Sequence, residues 1–81
     1  MLEIKILGTY TTKCRVFEQR VQEVLEKEKI EANVSLIDDV NEMTKYGIMV
    51  NTSMIINENI EIKGRVPKKE EIKRILIKYV K

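Results

Sequence analysis

The stretch LEIKILGTYTTKC, residues 2–14, contains the change of periodicity that decides the fold. Apolar residues alternate with charged ones from Leu2 to Ile6, which predicts a strand with one face packed inward. The segment Gly8–Thr12 breaks this alternation, and Cys14 then opens an apolar repeat at helical spacing. A strand followed at once by a helix is therefore the first unit of the fold, and the only cysteine of the chain stands at its junction.

Downstream of this junction, the periodicity predicts a helix that runs to about Lys29 and has one apolar stripe. The stripe consists of Cys14, Phe17, Val21, Val24 and Leu25. A second strand is predicted at residues 34–37 from its run of apolar side chains. Asp39 and Gly47 are typical start and stop residues, so a short second helix lies between them.

The rest of the chain predicts a hairpin and a final helix. Residues 53–63 contain two apolar segments around the letters NEN, and Asn tolerates the left-handed backbone of a tight turn. Pro67 has the φ angle that suits the first position of a helix. The order βαβαββα favours a parallel first pair of strands and an antiparallel last pair. We therefore expect an α/β fold with a mixed four-stranded sheet and three helices, in a single domain of residues 1–81.

The composition excludes several classes of function. The 81 residues are 43% hydrophobic and 35% charged, which indicates one small folded domain. The absence of His and the single Cys exclude the usual zinc site and His-based catalysis within one chain, so no metal or cofactor is predicted. Because the net charge is only +2 and aromatic residues are few, we expect neither nucleic acid nor a membrane as partner.

Targeting and assembly are predicted from the same features. No segment approaches the roughly 18 apolar residues that span a bilayer, and Met1 leads directly into a strand pattern. One cysteine cannot form an internal disulfide, which agrees with a reducing compartment. The sequence thus predicts a cytoplasmic monomer or weak dimer, with a Cys14 disulfide as the hypothetical link between two copies.

Four segments, taken in order, resemble a known family. They are ILGT…KC at the first strand-to-helix turn, YGIM before the third strand, IIN within that strand, and GRVPKKEEIK at the last helix. Together with the element order, they resemble the small thioredoxin-like proteins of bacteria and archaea, often called small redox-active disulfide proteins, over essentially the whole chain. The resemblance implies a thioredoxin-like fold and a relation to thiol–disulfide oxidoreductases.

Three positions that define the chemistry of that family carry threonine in this chain. Family members have a Cys-x-x-Cys pair with a proline between the cysteines. The resemblance places the resolving cysteine at Cys14, the nucleophile at Thr11 and the proline at Thr12. Since dithiol exchange needs two thiols, it implies a protein that does not perform this reaction. The family's cis-proline falls on Thr52, where a cis bond would cost about 2.5–4 kcal/mol, so a trans bond is expected.

The sequence leaves two interpretations of Cys14 open. On the apolar stripe it is a buried structural thiol in a domain without redox activity, with Thr11 as the N-cap of the helix. A non-catalytic protein-binding module that uses this surface or the sheet edge is the competing function. In the first turn of a helix, however, the dipole and Lys13 favour the thiolate, and Thr11 donates a hydrogen bond to it, as the Thr-x-x-Cys arrangement of peroxiredoxins implies. The protein would then use one thiol in redox or glutathionylation chemistry with a protein or a low-molecular-weight thiol.

Both interpretations concern the same candidate site. Cys14 and Thr11 are its candidate catalytic residues. The surrounding binding surface is predicted to consist of Tyr10, Thr12, Lys13, Asn51 and Thr52.

Overall fold

Strand β1, residues Leu2–Leu7, lies inside the sheet in the computed structural model, which describes residues 2–8, 12–47 and 52–80. The other elements are α1 (Thr12–Glu28), β2 (Ala32–Ile37), α2 (Val40–Lys45), β3 (Ser53–Ile56), β4 (Asn59–Ile62) and α3 (Lys69–Val80). This is the predicted order βαβαββα, and the chain has an α/β fold.

The sheet is mixed, with the strand order β2-β1-β3-β4. Strands β1 and β2 are parallel, with Leu2 opposite Ala32. Strand β3 is antiparallel to both β1 and β4, and its pairing with β4 contains a register shift between Met54 and Ile55. A four-stranded mixed sheet with three helices is the thioredoxin-like arrangement that the resemblance implies.

The alternation of β1 divides the core between the two faces of the sheet. Ile4 and Ile6 are fully buried in the larger cluster, which also contains the apolar stripes of α1 and α3. Leu7 points to the opposite face and packs with Met43 of α2 and Ile55 of β3. The sheet therefore has two long helices on one face and one short helix on the other.

Helix α1 confirms the predicted stripe, since all five of its apolar positions are buried. Lys29 ends the helix with a φ of 54°, and the Ile30 N–H returns to the Leu25 carbonyl at 2.9 Å. The end at Glu28 is one residue before the predicted end. In the described ranges of the chain, no helix has the length and apolarity to cross a membrane.

The predicted turns are also observed. Asn57 and Glu58 have φ values of 48° and 71°, so the hairpin turn uses the left-handed backbone that the NEN segment predicts. The Asp39 carboxylate accepts a hydrogen bond from the Asn41 N–H at 2.8 Å and caps α2. Gly47, with a φ of 67°, donates its N–H to the Thr44 carbonyl and ends that helix.

The prediction for Pro67 is wrong. Helix α3 begins at Lys69, and the carbonyl of Lys68 accepts the N–H of Ile72 at 3.1 Å, so Pro67 lies before the helix. Pro67 is buried, and its carbonyl accepts a hydrogen bond from Arg20 of α1 at 2.9 Å. Pro67 thus connects the segment before α3 to α1. This contact joins residues that are distant in sequence, so local helix propensity could not predict it.

Ion pairs and a tyrosine hold α3 against its neighbours. Lys69 pairs with Glu23, and Lys73 pairs with Glu28 at 3.5 Å, so two contacts join α3 to α1. Tyr79 donates its hydroxyl to the Glu61 carboxylate of β4. Desolvation and this carboxylate raise the pKa of Tyr79, which keeps the hydroxyl protonated as a donor.

Candidate functional site

The first turn of α1 carries the cysteine. Cys14 is the third residue of the helix, and none of its surface is exposed. Phe17 and Val21, on the same stripe, are also fully buried. The predicted N-cap Thr11 lies outside the described residues, as do the predicted binding residues Tyr10 and Asn51.

Three other predicted residues are placed by the structure. Thr12 and Lys13 are exposed at the start of α1. Thr52 lies directly before β3 and is only 4% exposed. These three residues line one surface groove, whereas Cys14 lies beneath the surface and is not part of its lining.

The backbone of Thr52 has an unusual conformation. Its φ is 59°, in the left-handed region, which costs a β-branched residue of order 1–3 kcal/mol. The proline that the family has at this position could not adopt it, because the proline ring fixes φ near about −65°. The Asn51–Thr52 peptide bond, for which a trans geometry is predicted, lies outside the described residues. The conformation of Thr52 itself thus requires a residue other than proline.

Ser53, the next residue, was not predicted as part of the site. It pairs with Leu7 in the sheet and is fully buried. Within the described part of the chain, its Oγ atom has no hydrogen-bond partner. A buried hydroxyl without a partner costs about 1–3 kcal/mol of stability. The strained backbone of Thr52 and the unsatisfied hydroxyl of Ser53 thus lie at adjacent residues.

Replacing this hydroxyl is expected to stabilise the domain. Ser53→Ala should raise the free energy of unfolding by about 1 kcal/mol or more, because the desolvated Oγ is removed and only a small volume is lost. Urea unfolding followed by circular dichroism measures the change. The matched control is Ser35→Ala, an exposed serine in β2 that should shift stability by less than about 0.5 kcal/mol. A lower stability of Ser53→Ala would mean that the hydroxyl makes a stabilising hydrogen bond.

The groove beside the cysteine has a volume of about 510 Å³. Besides the three predicted residues, it is lined by Val16, Arg20, Gly64, Arg65 and Val66. Arg20 and Val16 come from α1, and residues 64–66 come from the connection between β4 and α3. The GRV segment contributed to the family resemblance, but no sequence signal placed it opposite the start of α1.

Two of these residues have defined polar contacts. Arg20 Nη1 donates to the Pro67 carbonyl, as described above. The Arg65 guanidinium binds the Glu71 carboxylate through both terminal nitrogens, with a distance of 2.7 Å from Nη1 to Oε1. This hydrogen-bonded pair lowers the pKa of Glu71. Arg20 and Arg65 therefore both connect the wall of the groove to α3 or its entry.

A larger groove, of about 750 Å³, lies elsewhere between α1 and α3. The ion pair between Lys69 and Glu23 crosses it, and none of the predicted site residues that the structure describes lines it. We place the candidate site in the smaller groove because this groove adjoins the first turn of α1 and Thr52. Among the residues that the structure describes, no group of His, Cys, Asp and Glu side chains could hold a metal ion.

Comparison with known proteins gives matches to thioredoxins over nearly the whole chain. The thioredoxin domain family matches residues 2–77. A thioredoxin of Methanothermobacter thermautotrophicus is 30% identical over 76 residues, which cover 94% of this chain and 99% of that protein. A thioredoxin of Methanocaldococcus jannaschii is 31% identical over 80 residues, which cover 99% of this chain and 92% of that protein.

Proposed function

The chain belongs to the thioredoxin family, and from this premise we propose that it binds a partner protein in the groove beside α1 without performing dithiol exchange. The observation that carries the proposal is the state of its single cysteine: the Cys14 side chain has no exposed surface. Exchange requires a thiolate that reaches a disulfide sulfur, and a second thiol to resolve the mixed disulfide. A single buried thiol meets neither requirement.

The groove supports the binding part of the proposal. Thr12 and Lys13 are exposed on its rim, and Thr52 forms part of its wall. Backbone strain of the kind found at Thr52 is concentrated at binding and catalytic sites. A domain that has lost the nucleophilic cysteine but keeps such a groove would act by holding its partner.

A second candidate is single-thiol redox chemistry through Cys14. It is favoured by the position of Cys14 in the first turn of a 17-residue helix, where the dipole stabilises a thiolate. This chemistry would require the side chain to become accessible to a protein disulfide or to a low-molecular-weight disulfide such as oxidised glutathione. The two candidates therefore differ in whether position 14 is part of the core.

A carboxylate at position 14 distinguishes the two candidates, because they predict opposite changes in the free energy of unfolding. In the proposed function, Cys14→Asp places a charge in the core and should lower the free energy of unfolding by about 3 kcal/mol or more. At an accessible first-turn position, the same carboxylate should be neutral or stabilising by up to about 1 kcal/mol. Urea unfolding measures the change, and Cys14→Ala reports the loss of the sulfur alone.

Lys13→Asp is the matched control, because it puts the same carboxylate on the exposed side of the same turn. It should change stability by no more than about 1 kcal/mol. If Cys14→Asp and Lys13→Asp have similar stabilities, Cys14 is not a core residue and the proposal is wrong. If Cys14→Asp does not fold while Cys14→Ala and Lys13→Asp do, the proposal is supported.

A further inference from the structure

The charges that line the groove have one sign. Eight of the lining residues are described by the structure; three of them, Lys13, Arg20 and Arg65, are cationic, and none of the eight is acidic. In the whole chain, by contrast, 15 basic residues are nearly balanced by 13 acidic ones. The larger groove between α1 and α3 follows this balance, since four Glu and three Lys line it. The positive lining is therefore a local property of the groove beside Cys14.

The three cations are not equally available to a ligand. Within the described residues, no carboxylate forms an ion pair with Lys13 or Arg20. The contact of Arg20 with the Pro67 carbonyl occupies one nitrogen but does not neutralise the charge. Arg65, in contrast, is paired with Glu71 through both terminal nitrogens. Two charges are thus available, and a third is held by a carboxylate of the protein.

From these charges, which deepen the proposed function and depend on it, we infer that the partner places an extended acidic segment in the groove. Carboxylates of that segment contact Lys13 and Arg20, and its apolar side chains contact Val16 and Val66. The lining combines cations with the two valines, which suits a peptide better than a small inorganic anion, because such an anion needs several convergent donors. Of the lining residues that the structure describes, none is aromatic, so these residues offer no stacking surface for the bases of single-stranded nucleic acid.

Glu71 has a defined role under this proposal, because it competes with the partner for Arg65. Its carboxylate occupies the guanidinium fork that would bind a carboxylate of the peptide. Removing the charge of Glu71 frees Arg65 and should strengthen binding of an acidic segment. The neighbouring Glu70 offers a matched control, since it lies in the same first turn of α3 but lines the other groove.

The test uses two short synthetic peptides labelled with fluorescein, one with Glu alternating with Val and one with Gln in place of each Glu. Fluorescence anisotropy measures their dissociation constants at low and at physiological ionic strength. The Glu peptide should bind more tightly, and added salt should weaken it because the contacts are exposed. Lys13→Gln should weaken it about two- to fivefold, which is the range of one exposed ion pair.

Two matched comparisons exclude a general effect of net charge. Lys27→Gln removes the same charge from an exposed site about 21 Å farther along α1 and should leave the affinity unchanged. Glu71→Gln should strengthen binding of the Glu peptide by about two- to fivefold, whereas Glu70→Gln should change it by much less. Equal effects within either pair of variants, or equal affinities for the Glu and Gln peptides, would overturn the proposal.

The remaining outcomes separate this proposal from its alternatives. Single-stranded DNA that binds more tightly than the Glu peptide would contradict an acidic protein segment as the ligand. Inorganic phosphate that displaces the peptide better than chloride of equal ionic strength would contradict it as well.

Cys14→Ala should bind the Glu peptide as tightly as the unchanged protein does. If a folded Cys14→Ala variant loses binding while the preference for Glu persists in the unchanged protein, the proposed non-redox function fails and the acidic specificity stands. If the preference is absent while Cys14→Asp unfolds the domain, only the acidic specificity fails.

Discussion

Alkylation of Cys14 by iodoacetamide is expected to be at least about 1,000-fold slower in the native domain than in the chain unfolded by urea. The sulfur has no exposed surface, so the reagent reaches it only when the domain opens. A domain of ordinary stability is open in fewer than about one molecule in a thousand. Mass spectrometry of samples quenched at successive times measures both rates across a range of pH.

The control for this experiment is an exposed thiol in the same turn. Thr12→Cys in a Cys14→Ala background puts a cysteine at the first residue of α1, where the side chain is exposed. Its native rate should be within about tenfold of the unfolded rate, since no opening is required. If Cys14 itself reacts natively at a rate close to that of the unfolded chain, the thiol is accessible, and single-thiol redox chemistry becomes the better account of the protein.

Thr11→Cys is expected to create a redox-active pair in a protein that otherwise has none. The change restores the Cys-x-x-Cys spacing of the family, with the new thiol at the residue that directly precedes α1. Burial of Cys14 does not prevent its reaction there, because its target would be a mixed disulfide on a neighbouring residue rather than a disulfide in solution. Oxidised glutathione should therefore convert the variant to an internal disulfide, and the oxidised variant should accept electrons from dithiothreitol.

Thr12→Cys, with Cys14 retained, provides the comparison. Residues 12 and 14 lie about 200° apart around the helix, so their thiols should not form a disulfide while α1 is folded. Loss of two thiols in Thr11→Cys but not in Thr12→Cys, by thiol titration and intact mass, is the expected result. If Thr11→Cys keeps both thiols under oxidising conditions, the alignment of Thr11 with the family's nucleophile is wrong.

The sequence predicted the architecture because local patterns determine it here. The alternation of Leu2, Ile4 and Ile6 and the stripe from Cys14 to Leu25 correspond directly to buried faces. Asn57 of the NEN turn and Gly47 have the left-handed backbone that Asn and Gly tolerate. In each case, the signal lies within one element or one turn.

The candidate site was predicted only in part, because its contacts join segments that are distant in sequence. Thr12, Lys13 and Thr52 do lie in one groove. Nothing local to Arg65 indicates that it lies opposite α1, and nothing local to Pro67 indicates that its carbonyl binds Arg20. The buried Ser53 hydroxyl could not be predicted for the same reason, since its lack of a hydrogen-bond partner depends on the strands and helices packed around it.

The position of β1 inside the sheet also constrains how the protein is made. Of the described strands, β1 is the first to leave the ribosome, but it requires partners on both of its edges. Its parallel partner β2 is complete only at Ile37, and its antiparallel partner β3 pairs Ile4 with Ile56. One edge of β1 therefore stays unpaired until the chain has been translated as far as Ile56. During that interval the nascent chain exposes an apolar strand edge, which is the state in which a chaperone or a second nascent chain would meet it.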